Sequence, residues 1–239
     1  MEEAFLRIDT HTHSCGVSKC SKVTPEQIIV EKRKLGYDGV ILTNHCQAWY
    51  YPPEQHGAYI EAVIAEYKKG KAYADTLGFA FWLGLEVTLN VPAYADYLLF
   101  GVTEGFLRRT PCLYQLTQKE LYALCKENGV TLIQAHPLRH EGVGDTDYLD
   151  GIEINCTPAD FEKREEIVRI ANNTGLVVTC GTDYHFPERD IRAGMLVPKT
   201  VKNSVDFGKY LLEMPQTNVF IYDEVIKIPA GRNAKKLEK

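Results

Sequence analysis

The sequence predicts an α/β protein in which parallel strands are covered by helices. Short β-branched apolar runs alternate with longer segments of helical periodicity. No long linker, internal repeat or low-complexity tract interrupts the alternation. The length, 239 residues, suits one α/β barrel with little added around it.

Taken in order, Phe5 to Ile8 reads as the first strand. Thr24-Pro25-Glu26-Gln27 opens a helix: Thr24 is the N-cap, Pro25 fits the first helical position and Gln27 completes a capping box. Gly36 should end it. Gly39 to Thr43 is a second strand. Ile60, Val63, Ile64 and Tyr67 share one helical face, on a helix that Gly78 should terminate. Phe79 to Val87 and Tyr97 to Val102 read as strands. Thr117 with Glu120 forms another capping box, Leu121, Leu124 and Cys125 give that helix its buried stripe, and Gly129 is its expected C-cap. Val130 to Ile133, Gly151 to Ile154 and Leu176 to Val178 are further strands, with a helix over Asp160 to Asn173. A single domain over 1–239 is expected, residues 230–239 being a charged, frayed tail.

Composition narrows the function classes. With 45% apolar and 25% charged residues, the chain can bury enough surface to offset its conformational entropy, which excludes disorder as its main state. No apolar run approaches the roughly 20 residues of a membrane span, and Met1 to Ile8 is too short and acidic for an export signal. The formal charge of −5 disfavours long nucleic acids as partners. The seven cysteines, 15, 20, 46, 112, 125, 156 and 180, contain no CxxC pair; this argues against a disulfide framework and for a reducing cytoplasm, most thiols being buried.

The residues that carry chemistry fall where the strands end. The first strand runs out as Asp9-Thr10-His11-Thr12-His13. Alternate residues of a strand face one way, so His11 and His13 can hold one ion, and Asp9 can take a proton from a ligand imidazole. Later strands reach Thr43-Asn44-His45, Gly84-Leu85-Glu86, Ala135-His136-Pro137, Glu153-Ile154-Asn155 and Asp183-Tyr184-His185. In a parallel barrel these ends share one face, where barrel active sites lie. Imidazoles mixed with carboxylates suit Zn²⁺, Mn²⁺ or Fe²⁺ rather than Ca²⁺. Trp49-Tyr50-Tyr51 and Tyr184 offer rings beside these positions.

Those stretches resemble the polymerase and histidinol phosphatase (PHP) family of metal-dependent phosphoesterases. The matches are Asp9-Thr10-His11-Thr12-His13-Ser14, Thr43-Asn44-His45, Gly84-Leu85-Glu86, Ala135-His136-Pro137 and Asp183-Tyr184-His185, in the family's order over residues 9 to 185. The resemblance implies a distorted TIM-like barrel of about seven mostly parallel strands with the active site at their C-terminal ends. It implies one ion among His11, His13, Glu86 and Asp183, a second bridged by Glu86 and held by His136, and a third served by His45 and His185. Glu153, Asn155 and Asp9 would support these ligands from behind.

Two departures stand out. The loop Ser14 to Ser21 lacks the histidine common in the family and carries Cys15, Lys19 and Cys20 instead; the segment Asp96 to Glu104 places Thr103 where another histidine is common. One to three divalent ions are therefore expected, about two favoured. Lys19 is expected to supply positive charge in place of a third ion, or Cys20 to act as a soft ligand. The implied activity is hydrolysis of a small phosphate ester, a phosphomonoester first and a small nucleotide phosphodiester second, with a small phosphorylated molecule as partner. Arg139, Arg192 or Arg189 would bind the phosphate, with Lys19 beside it. His45 or His185, or more distantly His140, would protonate the leaving oxygen. The alternatives are an amidohydrolase-like or deoxyribonuclease metal barrel, which also opens with HxH, and a non-catalytic metal-binding domain.

Overall fold

In the computed structural model, residues 5–90, 93–139, 142–187 and 190–230 are described. Strands β1 (Phe5–Thr12), β2 (Gly39–Leu42), β3 (His45–Cys46), β4 (Ala80–Leu83), β5 (Leu85–Leu89) and β6 (Ala95–Phe100) precede β7 (Thr131–Gln134), β8 (Gly151–Asn155) and β9 (Val177–Gly181). The chain ends in β10 (Ala193–Pro198), β11 (Gln216–Ile221) and β12 (Glu224–Pro229). The helices are α1 (Pro25–Lys34), α2 (His56–Thr76), α3 (Glu104–Arg109), α4 (Gln118–Glu127), α5 (Pro158–Phe161), α6 (Arg164–Thr174) and α7 (Ser204–Glu213).

The capping boxes form as expected: Thr24 with Gln27 opens α1, and Thr117 with Glu120 opens α4. The single strand expected over Phe79 to Val87 is two. Gly84 marks the break: β4 pairs in parallel with β2, and β5 with β3. Leu42 ends β2 and His45 opens β3, so the chain passes from one sheet to the other at two adjacent places.

Two six-stranded sheets result, in the orders β12-β11-β10-β1-β2-β4 and β3-β5-β6-β7-β8-β9. The expected barrel of about seven mostly parallel strands is corrected here. Among the described residues no closed barrel forms, and five of the ten strand pairings are antiparallel. The end of β1, an inner strand of the first sheet, meets the chain just past β9, an edge strand of the second, in a parallel bridge between Thr12 and Tyr184. The C-terminal ends of β1, β7, β8 and β9 and the start of β3 thus converge. Elements past the last motif complete the first sheet, since β10 pairs antiparallel with β1. The expected tail lies outside the described residues, apart from Ala230, which is buried.

Candidate metal centre

Parallel pairing of β3 with β5 sets His45 beside Glu86. From that position the Glu86 carboxylate, fully buried, faces four imidazoles. Oε1 lies 3.3 Å from His11 Nε2 and 3.2 Å from His136 Nε2; Oε2 lies 3.5 Å from His13 Nε2 and 2.5 Å from His45 Nδ1. Asp183 approaches from the end of β9, its Oδ1 being 3.5 Å from His11 Nε2, 3.3 Å from His13 Nε2 and 3.3 Å from His185 Nδ1. Asp183 and His136 hold left-handed backbone, φ +52° and +29°, which non-glycine residues adopt at a cost of order 1–3 kcal/mol and which clusters at functional sites.

The donor atoms fit divalent ions. Three groups lie with all ligand atoms within 4.8 Å of one another: His11, His13 and Asp183; His11, Glu86 and His136; and His13, His45 and His185. His11 Nε2, His13 Nε2, His45 Nδ1, Glu86 Oε2 and Asp183 Oδ1 are buried without a properly directed hydrogen bond, although they crowd together. Lone pairs aimed at shared points, from nitrogen and carboxylate oxygen, suit Zn²⁺, Mn²⁺ or Fe²⁺.

Protonation follows from this crowding. Burial opposes charge on His11, but Glu153, Glu86 and Asp183 outweigh it and hold its pKa well above the usual value. Burial opposes charge on Glu86 too, and His45 and His11 overcome it, so its pKa sits well below the carboxylate range. Asp183 is likewise depressed, burial being overcome by His11 and His13. His13 is lowered, by burial and then by His45 and His185. In the metal-free protein, protons shared among imidazoles neutralise the carboxylates where cations would otherwise do so.

No family model and no curated protein matches the sequence. Solved structures do. A two-domain protein from Bacteroides vulgatus containing a predicted PHP-like metal-dependent phosphoesterase aligns with TM-score 0.63 over 91% of this chain, at 17% identity. The chain spans 65% of that protein's length. The chain has the PHP fold. An amidohydrolase from Chromobacterium violaceum (TM-score 0.58, 14% identity, 95% of this chain and 100% of that one) and the lesion-specific endonuclease PfuEndoQ from Pyrococcus furiosus (TM-score 0.58, 16% identity, 87% of this chain and 56% of that one) also align.

On this PHP fold the remaining expected residues fall into place unevenly. Glu153 stands directly behind the donors: Oε1 is 2.9 Å from His11 Nδ1, and Oε2 accepts from the His136 backbone N–H and from Asn155 Nδ2. Asp9 was expected to take a proton from a ligand ring; it accepts the His11 backbone N–H instead. Its other partners are Thr182 and Lys32, whose Nζ lies 2.6 Å from Oδ2, because the fully buried ammonium from α1 claims the carboxylate. Arg139 is engaged by carboxylates, Nη1 at 3.0 Å from Asp183 Oδ2 and Nη2 at 2.7 Å from Asp160 Oδ2. Arg192 pairs with Asp190 and lies over the Tyr222 ring, and its described contacts do not include the donor cluster. Lys19 donates to the Tyr50 carbonyl at 2.9 Å. His140 and Arg189 lie outside the described residues.

Thr103 does not sit at the mouth. The strand β6 runs antiparallel to β5 and β7, so its far end carries Thr103 away, where it caps α3. Asp96, near the start of β6, takes the mouth position, buried with Oδ2 3.9 Å from His136 Nε2 and Oδ1 bonded to Thr88. Burial, then Glu86, raises its pKa. Sequence reading missed Asp96 because only the strand's direction reveals it. Four cysteines are buried, at 46, 125, 156 and 180, while Cys15 and Cys20 are exposed. Among the described residues no helix is long and apolar enough to cross a membrane.

Proposed function

We propose that the chain is a metal-dependent phosphoesterase acting on a small phosphate ester, a phosphomonoester before a small nucleotide phosphodiester. The observation that carries the reading is one buried carboxylate, Glu86, shared among four imidazoles beside Asp183. His11, His13, Glu86 and Asp183 would hold one ion; Glu86 and His136, with Asp96 in reach, a second; His45 and His185 a third. Bound ions of this class supply an activated water and Lewis acidity toward a phosphoryl oxygen.

The chain's own groups do the rest. Glu153 fixes the His11 ring by accepting a hydrogen bond from its Nδ1–H, and fixes His136 by accepting from its backbone N–H. Arg139 holds Asp183 Oδ2 and so leaves Oδ1 for a cation; it acts on substrate only if phosphate displaces a carboxylate. With two ions bound and no third, His45 or His185, partly exposed at the mouth, would be free to protonate a leaving oxygen. The fold alone does not choose between phosphate and amide hydrolysis, since both kinds of relative share it. What favours phosphate is the match of Ala135-His136-Pro137 and the Asp183/His185 pair.

The test is hydrolysis of an aromatic phosphate monoester, a bis-aryl phosphodiester and an aryl amide with added Zn²⁺, Mn²⁺ or Fe²⁺. Monoester turnover is expected, fastest of the three, and abolished together with metal binding in His11→Ala. A fully metallated protein without phosphate turnover would support the metal-binding reading, and amide turnover alone the amidohydrolase.

A further inference from the structure

A cleft of about 250 Å³ opens beside the mouth, between the loop after β1, the segment after β3 and the first turns of α2. Tyr50 belongs to both places. Its ring lines the cleft and also stands edge-on to the His45 ring, with centroids 5.8 Å apart. Tyr59, another lining residue, donates its hydroxyl to the His45 carbonyl. The cleft wall is thus tied to a member of the donor cluster.

The lining selects its occupant. Three tyrosines contribute, and their hydroxyls are engaged elsewhere: Tyr50 with Cys20 Sγ, Tyr59 with the His45 carbonyl, and Tyr51 with Cys46 Sγ and His56 Nδ1. What they offer a ligand is ring surface. Tyr51 and Tyr59 stack with centroids 4.0 Å apart and 11° between planes, which makes that flank rigid. Ala58 and Ala62, exposed and one turn apart on α2, leave room that larger side chains would fill. The cleft is smaller than the roughly 300–1,000 Å³ of drug-sized sites, so it suits a single substituted ring. Lys19 is the one charged group among its described lining residues. Its Nζ donates to the Tyr50 carbonyl at 2.9 Å and lies 5.5 Å from the centre of the Tyr50 ring. That carbonyl takes one of the ammonium's three donors and leaves the others for an anion.

We propose that this cleft receives the leaving group of the phosphate ester, and that the group is an aromatic ring bearing an anionic substituent. The tyrosine rings hold the ring, and Lys19 pairs with the substituent. The same ammonium disfavours cationic alcohols. Lys19 is then a specificity residue for the leaving group and not a substitute for an ion at the phosphate. The inference rests on the phosphoesterase reading and adds to it the chemistry of the leaving group.

Phosphonates, which resemble the ester but cannot be hydrolysed, test the cleft apart from the reaction. Full-length, zinc-loaded protein is titrated by calorimetry with methylphosphonate, benzylphosphonate and para-carboxybenzylphosphonate. The benzyl compound should bind about tenfold more tightly than the methyl one, because its ring leaves water. The carboxylate should add about threefold, as an ion pair at an exposed lysine does. Lys19→Met should erase the carboxylate's increment. Ala62→Trp, at an exposed helix position, should erase the ring's increment at unchanged zinc content and methylphosphonate affinity, and Ala58→Trp should do the same from the neighbouring turn. Equal affinity for the methyl and benzyl compounds, a ring preference that survives both tryptophans, or a Lys19→Met that weakens all three ligands alike would overturn the proposal. Binding of none of the three would overturn it as well. A ring preference without ester hydrolysis would keep the cleft as the ring site while the phosphoesterase reading fell; ester hydrolysis without a ring preference would do the reverse.

Discussion

Lys32 shows why the sequence misplaced one acid. Asp9 shares a strand face with His11 and His13, and strand alternation made it a natural support for a ligand ring. The rule was right about direction, since all three are buried, but blind to α1, which brings Lys32 Nζ to 2.6 Å from Asp9 and over the Tyr184 ring at 4.3 Å. A lysine inside an amphipathic helix reads as solvated until the packing is known. Breaking a buried pair leaves one charge without its partner, at about 3–5 kcal/mol. Lys32→Met should therefore lose about that much in urea denaturation; a loss below about 1 kcal/mol would show that Asp9 simply takes up a proton. Arg139 gives the second prediction. Its fork is filled by Asp160 and Asp183, a geometry that lysine cannot copy. Arg139→Lys should weaken metal binding, measured by competition with a chelator, more than it raises KM for a phosphate ester. A changed KM at unaltered metal affinity would return Arg139 to the role of substrate clamp.

Among elements, legibility followed pattern strength. Capping boxes and glycine stops placed α1 and α4 within a residue or two. Strand direction was not legible, because antiparallel β6 and parallel β7 carry the same apolar run. That one ambiguity put Thr103 at the mouth in place of Asp96. Asp96→Ala should lower the number of tightly held ions by one, counted by elemental analysis, with His11→Ala as the more severe comparison; an unchanged count would remove Asp96 from the site. The β8–β9–β1 contact is tighter still. A Cβ on Gly181 would meet His11 Cβ at 2.5 Å and Glu153 Oε1 at 2.9 Å, so two donor-bearing strands close over a glycine. Gly181→Ala should destabilise the protein by about 1–3 kcal/mol, the usual cost of overpacking, and loosen metal binding with it.

At the scale of the molecule, five of seven histidines sit in one cluster, and this sets how pH acts with and without metal. In the metal-free protein four of them, His11, His45, His136 and His185, have pKa values raised by folding, His45 to about 10, and only His13 in the cluster is lowered. A raised imidazole stabilises the fold fully below its unfolded pKa of about 6.5 and loses that contribution as pH climbs through the folded value. Glu86 and Asp183, depressed, contribute fully above about 4 and lose it below. His13 works against the other imidazoles below about 6.5, but four outnumber one. Chelator-treated protein should accordingly melt highest between about pH 5 and 6.5 and lower at each step toward pH 10. Ions require the same imidazoles unprotonated, so the stabilisation by added Zn²⁺ should grow over that range, and the two melting curves should diverge with rising pH. Curves that stay parallel from pH 6 to pH 9 would mean that protons and metal do not compete for one set of atoms. The net charge of −5, which argues against anionic partners in general, then says little about this mouth: whichever cation fills it, proton or metal, the buried carboxylates are matched by positive charge where a phosphate would dock.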